Sequence, residues 1–246
     1  MTHAHSFPLF RLFACKAVVL VAFAGIAGQS VAQVPRQQPV GFTWGELALL
    51  PEYCKDTNGT VYGGPGGDQS PRAKHWVALM GEDFWHMHHY CYGLKNMMQA
   101  GMGVTSPAQS RALIGRAINE YGYIVKNARM TMPLMPEVFL KMGEAHLRLG
   151  NLVGAKDAFE ASRQTKPDYW PAYTAWIDEL LKLKQTSEAK SLAMEGLAHA
   201  PTSTELLARL RRIDPKAKPP ALAASAGLEA TTAAAPPAAS TPPPRP

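Results

Sequence analysis

The second half of the chain places apolar and polar residues with the period of an α-helix, and the pattern repeats. The segments 136–167 and 170–201 align with an offset of 34 residues, which pairs Ala155 with Ala189. Each segment contains two helical stretches of about a dozen residues. A fixed period of this length with helical patterning inside each unit predicts repeated helix–turn–helix units.

Residues at matching positions of the two units follow the pattern of a known repeat family. They are Phe139, Met142, Gly143, His146, Gly150, Ala155, Phe159 and Pro167 in the first unit, and Tyr173, Trp176, Ile177, Leu180, Ala189, Ala193 and Pro201 in the second. With this spacing the region 136–203 resembles the tetratricopeptide repeat family. The resemblance implies an all-α fold: a short right-handed superhelical stack of antiparallel helix pairs. Because Ile177 stands where the family has a small glycine, we expect looser or shifted packing there.

The same pattern predicts the units on either side of the two repeats. One repeat cannot bury its own apolar face, so a third unit is expected upstream. We predict a long tetratricopeptide-like helix pair over 76–135, with a first helix from about 74 to 100 and a second that ends near Pro133. The repeats themselves occupy 136–169 and 170–203. A closing helix over 204–214 is predicted, with Thr202 and Glu205 as its capping box.

Both ends of the chain are predicted to lie outside the folded body. Residues 1–32 combine two cations, a short apolar run at 17–28 and a small-residue triplet before Gln33, as a secretory signal peptide requires; an uncleaved N-terminal anchor is the alternative. Residues 33–75 are expected to form an extension with a short helix and a Gly/Pro-rich loop. The Pro/Ala-rich tail, 215–246, is predicted to be disordered. This organisation indicates an exported, periplasmic bacterial protein.

The cysteines support the same compartment. Cys15 would leave with the signal peptide, which leaves Cys54 and Cys91. An even pair in an exported protein is most simply a disulfide, and this one would staple the Gly/Pro-rich loop to the helical body.

Charge and motifs exclude several function classes. The formal charge of +6 falls to about +4 without the two cations of residues 1–32, and the basic run 209–218 is interpreted as a solvated helix and tail. We therefore expect no nucleic-acid partner. The sequence contains no His-Glu-x-x-His, P-loop or Gly-x-Ser-x-Gly motif, and the prediction is a non-enzymatic protein without a cofactor.

A cluster of imidazoles leaves one alternative open. Three histidines, His86, His88 and His89, stand just before Cys91. On a helix they divide over two faces, so a single tetrahedral site cannot easily collect all of them. The alternatives are a zinc or copper site, completed by Asp83 or Glu82, or by Cys54 and Cys91 if reduced; a packed aromatic helix around the disulfide; or a ligand or peptide site. The first would make this a metal- or cofactor-handling periplasmic protein.

The resemblance implies a function in protein–protein recognition, in which the first helix of each pair lines a concave groove. Carried over position by position, the partner-binding groove consists of Glu137, Leu140, Glu144, Leu147, Thr174, Asp178 and Leu181. Its carboxylates predict a partner segment with some Lys or Arg. The expected partner is another protein, of an envelope or secretion assembly, through which the chain could associate with a membrane.

Overall fold

The computed structural model describes residues 41–57, 71–103 and 105–220. The predicted signal peptide (1–32), most of the Gly/Pro-rich loop (58–70) and the tail beyond 220 lie outside the described residues. The described part is all-helical, with nine α-helices and two 3-10 helices and no strand. The α-helices are α1 (Trp44–Leu49), α2 (Pro71–Met80), α3 (Met87–Gly101), α4 (Pro107–Asn127), α5 (Met135–Arg148), α6 (Leu152–Thr165), α7 (Trp170–Lys182), α8 (Thr186–His199) and α9 (Thr204–Ile213).

From α3 onward the chain forms helix pairs joined by short turns. Each helix packs against the next one, from α3 through α9. Helix α8 begins and ends 34 residues after α6, so the predicted repeat period is present in the structure. The pairs are α3–α4, α5–α6 and α7–α8, and α9 packs against α7 and α8.

Glycines allow the first two pairs to close. A Cβ added at Gly143 would lie 2.6 Å from a ring carbon of Phe159, and one at Gly93 would lie even closer to the ring of Tyr121. In both pairs, therefore, an aromatic ring of the second helix lies directly on a glycine of the first.

In the third pair, α7–α8, the large side chain lies on the first helix and the small one on the second. Ile177 and Ala193 occupy the positions of Gly143 and Phe159, 34 residues later, and both are fully buried in the same core. The bulky side chain thus stands on the first helix instead of the second. This exchange explains how an isoleucine is accepted where the first two pairs use glycine.

The disulfide predicted from the sequence is present. Cys54 and Cys91 are bonded and fully buried, which joins the 3-10 helix Glu52–Lys55 to α3. The ring of Phe42 stacks on Tyr92 at 4.8 Å between centroids, on the same helix. The segment 41–57 is therefore held on α3 by the disulfide, by this ring stacking and by hydrogen bonds that Lys95 and Gln99 donate to it.

The predicted single helix from 74 to 100 is wrong. Helix α2 ends at Met80, because Gly81 adopts φ +80°, a left-handed conformation that glycine accepts without strain. A second 3-10 helix, Glu82–His86, then leads into α3. Its buried Asp83 accepts hydrogen bonds from the backbone N–H and Nε of Arg129.

Two helix ends also differ from prediction. Helix α4 ends at Asn127 rather than near Pro133, and a turn separates it from α5. The N-cap of α9 is Ser203 rather than Thr202, since the Ser203 hydroxyl accepts the backbone N–H of Leu206 at 3.3 Å. None of the described helices has the length and apolar character needed to cross a membrane.

Candidate functional site

The seven residues predicted to line the groove fall into two groups. Leu140 and Thr174 are buried, with only 7% and 6% of their surface exposed, so they support the helices from inside. Glu137, Glu144, Leu147, Asp178 and Leu181 are partly exposed. The accessible part of the predicted groove therefore consists of α5 and α7 residues around these five side chains.

Asp178 already has partners within the chain. It accepts hydrogen bonds from Arg209 at 2.6 Å and from Arg212 at 2.8 Å, both on α9. Partial burial raises its pKa, but the hydrogen bonds from the two arginines outweigh this and hold the pKa below its usual value. Asp178 thus anchors α9 to α7, a role that the sequence did not indicate.

Glu137 lies in a group of tyrosines. The Tyr90 hydroxyl of α3 donates to the Glu137 carboxylate of α5 at 2.7 Å. Burial, with a contribution from the Glu137 charge, raises the pKa of Tyr53. Burial and the charges of Glu137 and Glu144 raise the pKa of Tyr169 to about 12. We call Tyr53, Tyr90, Tyr121, Tyr169, Glu137 and Glu144 the tyrosine–glutamate cluster.

Tyr121 adds an unsatisfied donor to this cluster. It is fully buried, and its hydroxyl has no hydrogen-bond partner within the described residues. Burial raises its pKa, and the charges of Glu144 and Glu137 add to the shift. A buried hydroxyl without a partner is uncommon, and here its ring lies 5.8 Å between centroids from that of Tyr90, the donor to Glu137.

The carboxylates remain partly accessible. Glu144 forms an ion pair with Lys141 at 2.9 Å, one turn away, yet 40% of its side chain is exposed. An ion pair at this exposure is weak. Glu144 can therefore exchange Lys141 for a cation supplied by a partner.

Sequence reasoning missed the tyrosines, although a signal for Tyr90 exists. Tyr90 precedes Gly93 by three residues, as Leu140 precedes Gly143. Aligning the pairs on these glycines, instead of on prolines, places Tyr90 at a predicted groove position. Tyr53 could not be found in this way, because the disulfide-linked segment brings it there.

The three histidines lie close together, with the rings of His88 and His89 4.2 Å apart between centroids, but each has its own partner. His88 donates from Nδ1 to the backbone carbonyl of Trp85 at 2.8 Å, and burial lowers its pKa, with a further contribution from His89. His89 forms a 2.6 Å contact with Glu120 and stacks on Tyr123. His86 occupies the N-cap position of α3 without a side-chain capping hydrogen bond, and its ring lies near the same Tyr123 ring.

The described ranges contain no group of three or more His, Cys, Asp or Glu side chains arranged to hold a metal ion. Cys54 and Cys91, the other ligands considered for zinc, are joined in the disulfide and have no thiolate to offer. The chemistry at this helix face is that of stacked rings and one carboxylate–imidazole contact.

Comparisons with known proteins give no assignment. The chain matches no protein-family model, no curated protein and no solved structure.

Proposed function

We propose that this chain is an exported, non-enzymatic scaffold of the tetratricopeptide type, whose helix pairs stack in a right-handed superhelix. In this proposal it binds a segment of a partner protein on the exposed faces of α5 and α7. The partner belongs to an envelope or secretion assembly of a bacterium, and the site of action is the periplasm.

The observation that carries this proposal is the tyrosine–glutamate cluster. Two carboxylates of α5, Glu137 and Glu144, lie near tyrosines of other elements: Tyr90 of α3 donates to Glu137, and the charges of both carboxylates act on Tyr169, just before α7. Carboxylates beside aromatic rings attract Lys and Arg through both ion pairing and cation–π contact. Leu147 and Leu181 supply partly exposed apolar contacts beside them. A segment with alternating basic and apolar residues fits this combination.

The disulfide supports the proposal by fixing one wall of the site. Tyr53 lies next to Cys54 in a 3-10 helix, and its ring packs edge-on against Trp76 at 5.7 Å. Because the bond to Cys91 holds this helix on α3, Tyr53 stays close to Glu137 without depending on a long ordered loop. Disulfides form and persist mainly in oxidising compartments, which fits the proposed periplasmic location.

Site-directed photocrosslinking in cells tests where the partner binds. A photoreactive residue at Leu147 or Leu181 should trap a partner, and one at Glu160, exposed on α6, should not. Mass spectrometry then identifies the crosslinked segment. If the trapped segment has no Lys or Arg, or if Glu160 traps the same protein equally well, the proposed groove is wrong.

The affinity of that segment provides the second test. A synthetic peptide of the trapped sequence is titrated against the full chain and its variants by calorimetry. Glu144→Lys should weaken binding by about tenfold or more, because it replaces an attraction with a repulsion. The matched charge change Glu160→Lys should leave the affinity unchanged. Equal affinities for both variants would contradict the proposal.

A further inference from the structure

Exposed apolar side chains are concentrated at one place in the fold. Nine large apolar residues are exposed in the described part of the chain, and five of them lie at or next to the three turns that close the helix pairs. Val153, at the start of α6, is 72% exposed. We call these turns the hairpin tips; their exposed apolar residues are Met102, Leu149, Leu152, Val153 and Leu183.

The three tips lie along one edge of the helical body. Neighbouring helices are joined by short turns and pack against each other, so alternate helices run in the same direction. Arg148, the last residue of α5, donates to the carbonyl of Met97 near the end of α3 at 2.9 Å. Asp214, just after α9, pairs with Lys190 near the start of α8 at 2.8 Å. These contacts bring the ends of α3, α5 and α9 to the edge that carries the tips.

The backbone conformation of two of these turns determines where their exposed leucines lie. Leu149 and Leu183 are 34 residues apart, and each precedes a residue in the left-handed conformation, Gly150 or Lys184. In both turns a backbone N–H reaches back five residues: Asn151 to His146 at 3.0 Å, and Gln185 to Leu180 at 2.8 Å. This is the Schellman closure of a helix. The repeated turn therefore presents a leucine at the same place in two successive pairs.

The charge around the second and third tips, and at the end of α9 on the same edge, is strongly positive. The segments 146–157, 180–190 and 211–218 contain nine Lys and Arg residues and three Asp and Glu residues. On the opposite edge, the segments 123–137, 160–172 and 195–206 together contain four Lys and Arg residues and five Asp and Glu residues. Within the described residues, ion pairs engage only three of the nine cations, which are Lys182, Lys190 and Arg212.

From this arrangement we propose that the hairpin tips form a docking surface for an anionic lipid bilayer. Exposed leucine and valine side chains enter the boundary between headgroups and acyl chains, and the surrounding lysines and arginines contact anionic headgroups. A soluble polyanion would use the cations but would gain nothing from Val153 or Leu183. The proposal does not depend on the groove, because the tips and the tyrosine–glutamate cluster share no residue.

Vesicle flotation of the full chain tests this surface. The vesicles are phosphatidylcholine alone, or phosphatidylcholine with about one third phosphatidylglycerol. We expect binding to the anionic vesicles, and weaker binding as salt is added, since exposed charges are screened. All variants retain residues 1–40, so any contribution from the apolar run 17–28 cancels in the comparison.

Two variants separate the charged from the apolar contribution. Lys156→Gln with Lys184→Gly removes two cations, and glycine suits the left-handed backbone at 184. Val153→Ser with Leu183→Ser removes two exposed apolar side chains without opening a core. Each double variant should weaken binding to anionic vesicles by about tenfold or more.

Matched controls lie on the opposite edge. Lys126→Gln with Lys166→Gln removes two exposed cations there, and Met130→Ser removes a half-exposed apolar side chain. Both should bind vesicles like the unchanged protein, and thermal melting checks that every variant is folded. Equal binding to neutral and anionic vesicles, or an equal loss in the controls, overturns the proposal. So does normal vesicle binding by the Val153/Leu183 variant, because the surface would then be a site for soluble polyanions.

Discussion

Replacement of Gly143 by alanine tests the packing on which the helix pairs depend. The new Cβ would lie 2.6 Å from one ring carbon of Phe159 and within 3.0 Å of two others. Phe159 is fully buried, so its ring cannot turn into solvent to make room. Overpacking of this kind costs about 1–3 kcal/mol. Against this, alanine favours a helix over glycine by about 1 kcal/mol.

Gly115 provides the matched control. It lies in the middle of α4, and a Cβ added there would meet no atom within 4 Å. Gly115→Ala should therefore raise the free energy of unfolding by about 1 kcal/mol. Because both variants gain the same helix propensity, the difference between them isolates the clash with Phe159, which we expect to be about 1–3 kcal/mol.

Urea unfolding followed by circular dichroism measures this difference directly. For a folded body of this size, a change of 1 kcal/mol moves the melting temperature by about 2–4 °C. The Gly143 variant should melt below the unchanged protein or close to it, and the Gly115 variant above it. If Gly143→Ala stabilises the protein as much as Gly115→Ala does, α5 and α6 do not cross at this glycine and the packing scheme is refuted.

Three further outcomes are expected. Replacing Cys54 and Cys91 together by alanine should lower the free energy of unfolding by about 4 kcal/mol, because the bond closes a loop of 37 residues, and chemical denaturation without reductant measures it. His88 has a lowered pKa in the folded state, so its stabilising contribution is complete above the unfolded pKa of about 6.5 and is lost as pH falls. His88→Asn, which keeps a donor for the Trp85 carbonyl, should therefore lose less melting temperature between neutral and acidic pH than the unchanged protein; an identical loss would contradict this. Tyr121→Phe removes a hydroxyl with no partner in the described structure and should leave the free energy of unfolding unchanged or raise it slightly, whereas a loss above about 1 kcal/mol in urea unfolding would reveal a missed hydrogen bond.

The sequence was most informative where side-chain spacing alone decides the structure. The 34-residue offset located α5 to α8, because apolar periodicity and the residues that end helices are local signals. The disulfide followed from having only two cysteines left after the predicted signal peptide. Neither inference required knowledge of contacts between distant residues.

The misses have two physical causes. Gly81 breaks the predicted helix through a positive φ, and a glycine at a helical position carries no sign of the backbone angle that it will adopt. Pro133 suggested too long an α4, because the connection from α4 to α5 (128–134) is longer than the one from α6 to α7 (166–169), so that subtracting 34 points beyond the end of α4. The glycine-to-ring contacts, Gly93 to Tyr121 and Gly143 to Phe159, give the correct correspondence, but only the folded pairs reveal them.

The groove illustrates what a positional pattern leaves out. Leu140 and Thr174 occupy positions expected to face a partner, yet the neighbouring helices bury them. Asp178 was expected to be free, but α9 brings Arg209 and Arg212 to it. A repeat pattern predicts the direction of a side chain from its own helix. It does not predict which other helix covers that side chain.

The elements that flank the helix pairs restrict where partners can bind. The segment 41–57 is bonded to α3 through Cys91, and α9 is held on α7 by two arginine–aspartate pairs, so neither α3 nor α7 has all of its surface free. A partner segment must then use the faces of α5 and α7 that these elements leave exposed. The two surfaces proposed here have opposite charge: carboxylates and tyrosines at Glu137 and Glu144, and cations at the hairpin tips. A basic partner segment is therefore attracted to the tyrosine–glutamate cluster and repelled from the hairpin tips. An anionic bilayer is attracted to the hairpin tips and repelled from the cluster. The chain can then bind both at once, because they do not compete for the same residues.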